Sequence, residues 1–147
     1  THEDIAFYLG YLLQSQLDRK QWRLSVNGVK TRISGSTYFI PDVVVVPAAS
    51  VTQFRDDPRH LAAHAEPLPL VVEVWSRTTG SYDFERKLTS YRERGDTEIW
   101  YIHPYERTLT VWRRQPDGRY VEARFGGGVI PVTSLPGVVI DLDDVLA

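Results

Sequence analysis

Three charged residues lie at positions where the surrounding sequence is apolar. Glu73 interrupts the run LVVEV, Asp42 follows a proline and precedes VVVV, and Lys87 lies within a helical pattern of large apolar residues. Burying an isolated carboxylate costs several kcal/mol, so each carboxyl group must be protonated, paired or bound to a cation. These three residues are therefore the first candidates for a functional site.

Two carboxylates and one lysine have the right chemistry to hydrolyse a phosphodiester. Two carboxylates are the usual protein share of a Mg²⁺ site, where water and substrate phosphate complete the octahedron. A lysine beside them could position or deprotonate the attacking water and offset charge that develops on phosphorus. The same residues would also suit a structural network of buried ion pairs. Taken singly, Asp42 suits a turn or cap, and Lys87 a lysine at the edge of an apolar stripe.

The two carboxylates belong to predicted strands. Residues 37–47 are rich in β-branched and aromatic side chains, and Pro41 lies where the pairing of such a strand must be irregular. Residues 68–76 form a nearly continuous apolar run, which is typical of a strand buried on both faces. We therefore expect Asp42 and Glu73 to lie on neighbouring strands of one sheet.

Lys87 belongs to a predicted helix over residues 81–95. It shares the helical stripe i, i+3, i+4, i+7 with three apolar residues: Phe84, Leu88 and Tyr91. The chain has 14 arginines and only three lysines, so an ordinary surface cation here is usually arginine. Lysine differs in being a compact point charge. We expect Lys87 to emerge from the face that packs on the sheet.

The remaining patterns predict a mixed α/β (α+β) fold. The other regular elements are a helix over 3–19 and strands over 22–26, 98–103, 108–114 and 119–125. Residues 48–68 are predicted to form a loop with one short helix, and residues 129–147 short strands and turns. Strands interleaved with two helices predict one domain over residues 1–147, with a central sheet covered on both faces.

Composition limits the class of protein. The 147 residues suit one domain, and no apolar run approaches the roughly 20 residues of a membrane-spanning helix. The absence of cysteine excludes disulfides and thiolate zinc sites, and is compatible with a cytoplasmic protein. The absence of methionine implies that residue 1 is not a native start, so we expect the N-terminus to be truncated. The net charge is −2, so DNA binding would require a local basic face.

The strings PDVVVV, LVVEVWS and YDFERKLTSYRERGDTEIWYIHP resemble, in order and spacing, the Uma-two family of endonucleases. This family belongs to the PD-(D/E)xK restriction-endonuclease-like superfamily. The segment TSLPGVVIDLDDVL is also similar, so the resemblance covers residues 2–146. It implies a mixed central sheet flanked by helices, with extra C-terminal β-hairpins. It also implies an endonuclease that acts on DNA with Mg²⁺, for which Mn²⁺ can substitute. Such sites often work in pairs, so a homodimer is expected.

The resemblance also assigns residues. Asp42 and Glu73 match the family's two metal-binding carboxylates, and Lys87 matches its catalytic lysine. The superfamily places that lysine two residues after the glutamate, where this chain has Trp75. Four further residues match family positions that would support the site: His2, Ser76, Asp83 and Tyr91.

Other interpretations stay open. The chain departs from the family at Arg77, where proline is common, and at His103, where aspartate is common. The displaced lysine and the net charge would also suit an inactive nuclease-like fold that binds nucleic acid or a protein. A two-carboxylate hydrolase acting on another substrate is a third interpretation. His60 and His64 have the i, i+4 spacing of metal-ligating histidines, but lack the glutamate of a zinc-protease motif.

Overall fold

The computed structural model describes residues 2–35, 37–55, 65–78 and 80–147. The helices in these ranges are α1 (His2–Gln14), α2 (Ala48–Arg55), α3 (Gly80–Arg94) and α4 (Leu142–Val145). The strands are β1 (Trp22–Val26), β2 (Thr31–Ser34), β3 (Thr37–Phe39), β4 (Val43–Pro47), β5 (Leu70–Val74), β6 (Glu98–His103), β7 (Thr108–Arg114), β8 (Tyr120–Phe125), β9 (Val129–Pro131) and β10 (Val139–Asp141).

Six strands form a mixed sheet in the order β1-β4-β5-β6-β7-β8. Neighbouring strands are antiparallel except β5 and β6, which run parallel. A parallel pair needs a crossover connection, and α3 provides it. Two small antiparallel sheets, β2–β3 and β9–β10, lie outside the main one. The predicted mixed central sheet flanked by helices is confirmed, and β9–β10 is a C-terminal hairpin outside it.

The sheet has a hydrophobic core on each face. The first core contains alternate residues of the central strands together with α1 and α4, and includes Val43, Val45, Val72, Val74, Leu9, Leu13 and Leu142. The second contains the intervening strand residues together with α3, and includes Val44, Val46, Val71, Phe84, Leu88 and Tyr91. All five residues of β5 are buried, in agreement with its apolar run. The predicted apolar stripe of α3 therefore does pack on the sheet.

The first helix is shorter than predicted, because it ends at Gln14 rather than at residue 19. The Ser15 hydroxyl and the Gln16 side-chain amide both donate hydrogen bonds to the Leu12 carbonyl. Such local bonds from side chain to backbone compete with continuation of a helix. The helical spacing of apolar residues continues beyond residue 14, so this pattern alone predicted a helix longer than α1.

The predicted strand over 37–47 is two strands, β3 and β4. Pro41 has no backbone N–H to donate to a ladder, and the chain leaves the strand conformation on both sides of it. β3 then pairs with β2 in a separate hairpin, and β2 was not predicted. The short, mixed sequence TRIS carries no strong strand period, so its pairing depends on tertiary contacts.

The C-terminal segment also contains a helix that was not predicted, α4. The Asp141 carboxylate caps it by accepting hydrogen bonds from the backbone N–H groups of Asp143 and Asp144. The short helix predicted within 48–68 corresponds to α2, whereas His60 and His64 lie outside the described residues. No helix in the described part of the chain is long and apolar enough to cross a membrane.

Candidate active site

Asp42 and Glu73 lie side by side because of the register between β4 and β5. Val43 pairs with Val72, so the antiparallel register places Asp42 opposite Glu73, with both side chains on one face. The Asp42 Oδ2 atom accepts a hydrogen bond of 2.7 Å from the Val74 backbone N–H, which holds this carboxylate against β5. Both carboxylates line the same open cavity of about 390 Å³.

α3 brings a cation and a hydroxyl to Glu73. The Lys87 Nζ atom lies 3.4 Å from Glu73 Oε2, and the Tyr91 hydroxyl donates a 3.0 Å hydrogen bond to the same oxygen. Lys87 and Tyr91 are four residues apart, so they project from the same face of the helix. Asp83, one turn before Lys87, places its Oδ2 atom 3.3 Å from the lysine amine. Lys87 therefore bridges two carboxylates at the wall of the cavity.

Burial raises the pKa of Glu73, and the neighbouring charge of Asp42 raises it further. Lys87 and the hydrogen bond from Tyr91 lower the pKa only in part, so it lies at about 8. The side chain is only 5% exposed, which makes desolvation the main cause. Glu73 therefore holds a proton at neutral pH unless a cation replaces it.

Burial alone would lower the pKa of Lys87. The negative charges of Glu73 and Asp83 more than offset this effect, so the pKa of Lys87 is raised. A proton on Glu73 would weaken one of these two attractions and leave the other, from Asp83, in place. Lys87 is therefore a permanent cation near neutral pH. Burial and the charge of Glu73 also raise the pKa of Tyr91 well above its usual value, so its hydroxyl remains a donor.

The four predicted supporting residues also lie around the cavity. The His2 Nε2 atom is 3.2 Å from Asp42 Oδ2, and the Ser76 hydroxyl is 3.1 Å from the Thr78 hydroxyl. His2, Ser76 and Asp83 line the cavity itself. Tyr91 does not line it but donates its hydrogen bond to Glu73, which does. The structure thus brings all the sequence-predicted site residues together, while their functional roles remain predictions.

The donor set of this cavity fits a hard divalent cation. The described residues include no group of three or more His, Asp or Glu side chains arranged to hold a metal ion. Zinc sites normally need three or four protein ligands, whereas Mg²⁺ usually takes one or two carboxylates and keeps several waters. Two ionised carboxylates at Asp42 and Glu73 would repel each other, and a cation between them would relieve that repulsion. Two neighbouring carboxylates at an open cavity therefore form a donor set that Mg²⁺ fits.

Several residues beside the cavity were not predicted as part of a site. The Trp75 ring stacks on the His103 ring at 4.5 Å between centroids, and Tyr105 meets Trp75 edge-on at 5.4 Å. Thr78 lines the cavity next to Ser76. The signal in the sequence was the order strand, helix, strand over residues 68–103, because this order favours parallel strands whose carboxyl ends lie at one edge of a sheet.

Residues 1–143 of the chain match the model of the Uma2 family, which is described as "Putative restriction endonuclease". The fold is similar to a solved structure from Anabaena variabilis ATCC 29413, described as "a putative nuclease belonging to DUF820". The TM-score is 0.77 at 16% identity, and the match covers 99% of this chain and 79% of that chain. No curated protein matches the sequence. The predicted resemblance and fold are confirmed.

Proposed function

The chain belongs to the Uma2 family, and from this premise we propose that it is a Mg²⁺-dependent endonuclease that hydrolyses phosphodiester bonds in DNA. The observation that carries the proposal is one cavity whose lining includes the two strand carboxylates, Asp42 and Glu73, and the helix lysine Lys87. Mn²⁺ accepts similar oxygen ligands and is expected to substitute for Mg²⁺.

Asp42 and Glu73 would hold the metal ion in this proposal. When bound, Mg²⁺ supplies Lewis-acid chemistry, which offsets charge on the phosphate and makes water a nucleophile near neutral pH. Tyr91 orients Glu73 through its hydrogen bond, and the Val74 N–H orients Asp42. Both carboxylates are thus held in place before a cation or substrate arrives, which reduces the cost of binding.

Lys87 would act as an electrostatic group rather than as a base. Its raised pKa keeps the amine protonated, so it donates hydrogen bonds and cannot accept a proton at neutral pH. Its position at the cavity wall, with only 19% of the side chain exposed, strengthens its interaction with a developing negative charge. Lys87 would therefore stabilise the phosphorane-like transition state and orient the attacking water.

A homodimer is part of the proposal because one such site cuts one strand. Cleavage of both strands of a duplex near one position needs two sites, and a symmetric pair of chains would supply them. Sedimentation of the protein with a short duplex, in Ca²⁺ or without a divalent ion, would measure the stoichiometry. Two chains per duplex are expected, and one chain per duplex at saturating protein would contradict the dimer.

A nicking assay tests the activity. Supercoiled plasmid is incubated with Mg²⁺ or Mn²⁺ and either the wild type, Glu73→Gln or Asp42→Asn. The wild type is expected to nick the plasmid, EDTA to stop the reaction, and both variants to be inactive because each removes one proposed metal ligand. Asp117→Asn is the matched control, since this carboxylate lies in the exposed turn between β7 and β8.

The same assay separates the endonuclease from the binding module. If the wild type fails to nick plasmid at any concentration of either metal ion, the proposed activity is wrong, and a nuclease-like fold that only binds its partner becomes the better interpretation. If Glu73→Gln and wild type cleave equally, the activity resides outside this cavity.

A further inference from the structure

A second cavity adjoins the candidate active site. Its volume is about 210 Å³. It is lined by His2, Trp75, Ser76, Arg77, Pro104 and Tyr105. The first three of these residues also line the cavity of Asp42 and Glu73, so the two cavities share a wall. A polymer whose phosphate enters the first cavity would therefore place its neighbouring nucleoside near the second.

The walls of the second cavity are aromatic and cationic. Trp75 and Tyr105 both line it, and Tyr105 stands almost perpendicular to Trp75, at 85°. His103 lies outside the lining and stacks on the Trp75 ring with 18° between the planes. The Arg77 guanidinium carbon lies 5.3 Å from the centre of the Tyr105 ring. Tyr105 is 57% exposed, and Arg77 is also exposed, so both remain accessible to a ligand.

This combination suits an unpaired nucleobase. Proteins bind single-stranded nucleic acid by stacking bases on aromatic side chains, with further stabilisation from arginine. In a regular duplex each base is covered by its neighbours and by its partner, so it can reach such a wall only when it is unpaired or extruded from the helix. Pro104 and Ser76 provide no competing charge.

We propose that the second cavity binds the base of an unpaired nucleotide adjacent to the scissile phosphate. Tyr105 and Trp75 contact the base, and Arg77 contributes its cation beside Tyr105. The substrate class would then be DNA with a single-stranded, mismatched or extruded nucleotide at the cleavage position. This inference rests on the proposed function, because the phosphate in the first cavity is what brings the base to the second.

Binding without cleavage tests the base contact. The full chain, with Ca²⁺ in place of Mg²⁺, is titrated into a fluorescent single-stranded oligodeoxynucleotide or into an abasic oligomer of the same length. Base stacking predicts about 5- to 150-fold tighter binding of the intact oligomer, since each stacked base contributes about 1–3 kcal/mol. Tyr105→Ala is expected to remove this preference, Tyr105→Phe to retain it, and Arg77→Ala to reduce it.

Tyr38→Ala is the matched control. Tyr38 is also an exposed tyrosine with a cation near its ring, since the Lys30 amine lies 4.8 Å from the ring centre, but it lies on β3 outside the walls of both cavities. The control should keep the wild-type preference. Equal affinity of the wild type for intact and abasic oligomers would overturn the inference, as would a loss of preference in Tyr38→Ala equal to that in Tyr105→Ala.

Cleavage is measured separately with Mg²⁺, so the two proposals can fail independently. Cleavage of DNA without a preference for the intact oligomer would retain the endonuclease and refute the base site. A Tyr105-dependent preference without any cleavage would retain the base site and refute the endonuclease. Thermal unfolding of each variant confirms folding, and Arg77→Ala gives a second result that does not depend on the Tyr105→Ala variant being folded.

Discussion

Lys87 reaches Glu73 from α3, whereas the (D/E)xK pattern places its lysine on the strand, at the position of Trp75 here. The sequence indicated that the lysine comes from the helix, because a lone lysine in an apolar helical stripe is unusual. The resemblance gave Tyr91 only a supporting position, and its contact with Glu73 was not predicted, although its i, i+4 spacing from Lys87 fits a shared target. Charge in an apolar context is thus the sequence feature that singled out the three residues that meet at this cavity.

Replacing Lys87 with methionine should leave the protein folded and reduce its cleavage rate. Methionine keeps the length and apolar stem of lysine but removes the cation at the cavity. Loss of one such charge is expected to lower the nicking rate at saturating plasmid by about 10²- to 10³-fold. Lys20→Met is the matched control, because Lys20 is an exposed lysine in the turn after α1. A Lys87→Met rate within a few-fold of wild type would remove Lys87 from the mechanism.

The raised pKa of Glu73 predicts how stability depends on pH. Between about pH 4.5 and 8 the folded protein holds a proton on Glu73 that the unfolded chain releases. The stabilisation that this proton provides is complete below the pKa of the unfolded chain, 4.5, and is lost as the pH rises through the pKa of the folded protein, about 8. Its loss contributes a slope of up to about −1.4 kcal/mol per pH unit to the free energy of unfolding.

Urea denaturation in EDTA at several pH values measures this slope. Glu73→Gln cannot titrate at this position, so its free energy of unfolding should fall less steeply than that of the wild type across the same interval. Parallel profiles for the two proteins would show that the pKa of Glu73 is not raised in the folded state.

At the scale of elements, the sequence predicted the central strands and α3 well and the peripheral elements less well. The run LVVEV and the stripe of α3 carry strong periods, because their faces are buried. β2 and α4 are short and depend on contacts made elsewhere in the fold. The break at Pro41 was expected as an irregularity, but its division of one strand into two depends on the hairpin that β3 forms with β2.

The end of α3 is held by a buried ion pair that pattern reading did not find. The Arg94 Nε atom lies 3.1 Å from Asp96 Oδ2, and both side chains are almost fully buried. The same guanidinium donates to the Arg32 carbonyl at 2.6 Å and to the Glu66 carbonyl at 2.9 Å. Arg94 therefore connects α3 to the β2–β3 hairpin and to the segment that precedes β5.

Arg94→Met is expected to destabilise the fold by about 3–5 kcal/mol, because it leaves the buried carboxylate of Asp96 without its cation. Adding Asp96→Asn should recover part of the loss, since it removes the uncompensated charge. The exposed pair Arg119–Asp117 is a matched control, also two residues apart, and Arg119→Ala should change stability little. Similar free energies of unfolding for wild type and Arg94→Met would contradict the structural role of the pair.

At the scale of the molecule, the sheet determines where the site forms. β5 is central, buried on both faces, and followed by the crossover helix α3 and its parallel neighbour β6. This topology places the carboxylate of Glu73 and the amine of Lys87 at one edge, beside Trp75 after β5 and Tyr105 after β6. The residues that the sequence singled out do meet at the first cavity, but only the fold determines that the two cavities adjoin.

Because only the folded chain brings Asp42 and Glu73 together, Mg²⁺ should bind the native state and stabilise it. At a concentration 100 times the dissociation constant, the stabilisation is about 2.7 kcal/mol. Mg²⁺ must displace the proton from Glu73, so the gain should be larger near pH 8.5 than near pH 6.5. Thermal unfolding measures the gain, with KCl at equal ionic strength as the reference.

Glu73→Gln and Asp42→Asn are expected to lose this gain, and Asp117→Asn to retain it. Magnesium should also reduce the pH dependence of stability in the wild type, because the ion and the proton compete for one carboxylate. A stabilisation by Mg²⁺ that persists unchanged in both variants would locate the cation elsewhere on the surface. It would then refute the assignment of this cavity as the metal centre, whatever the outcome of the nicking assay.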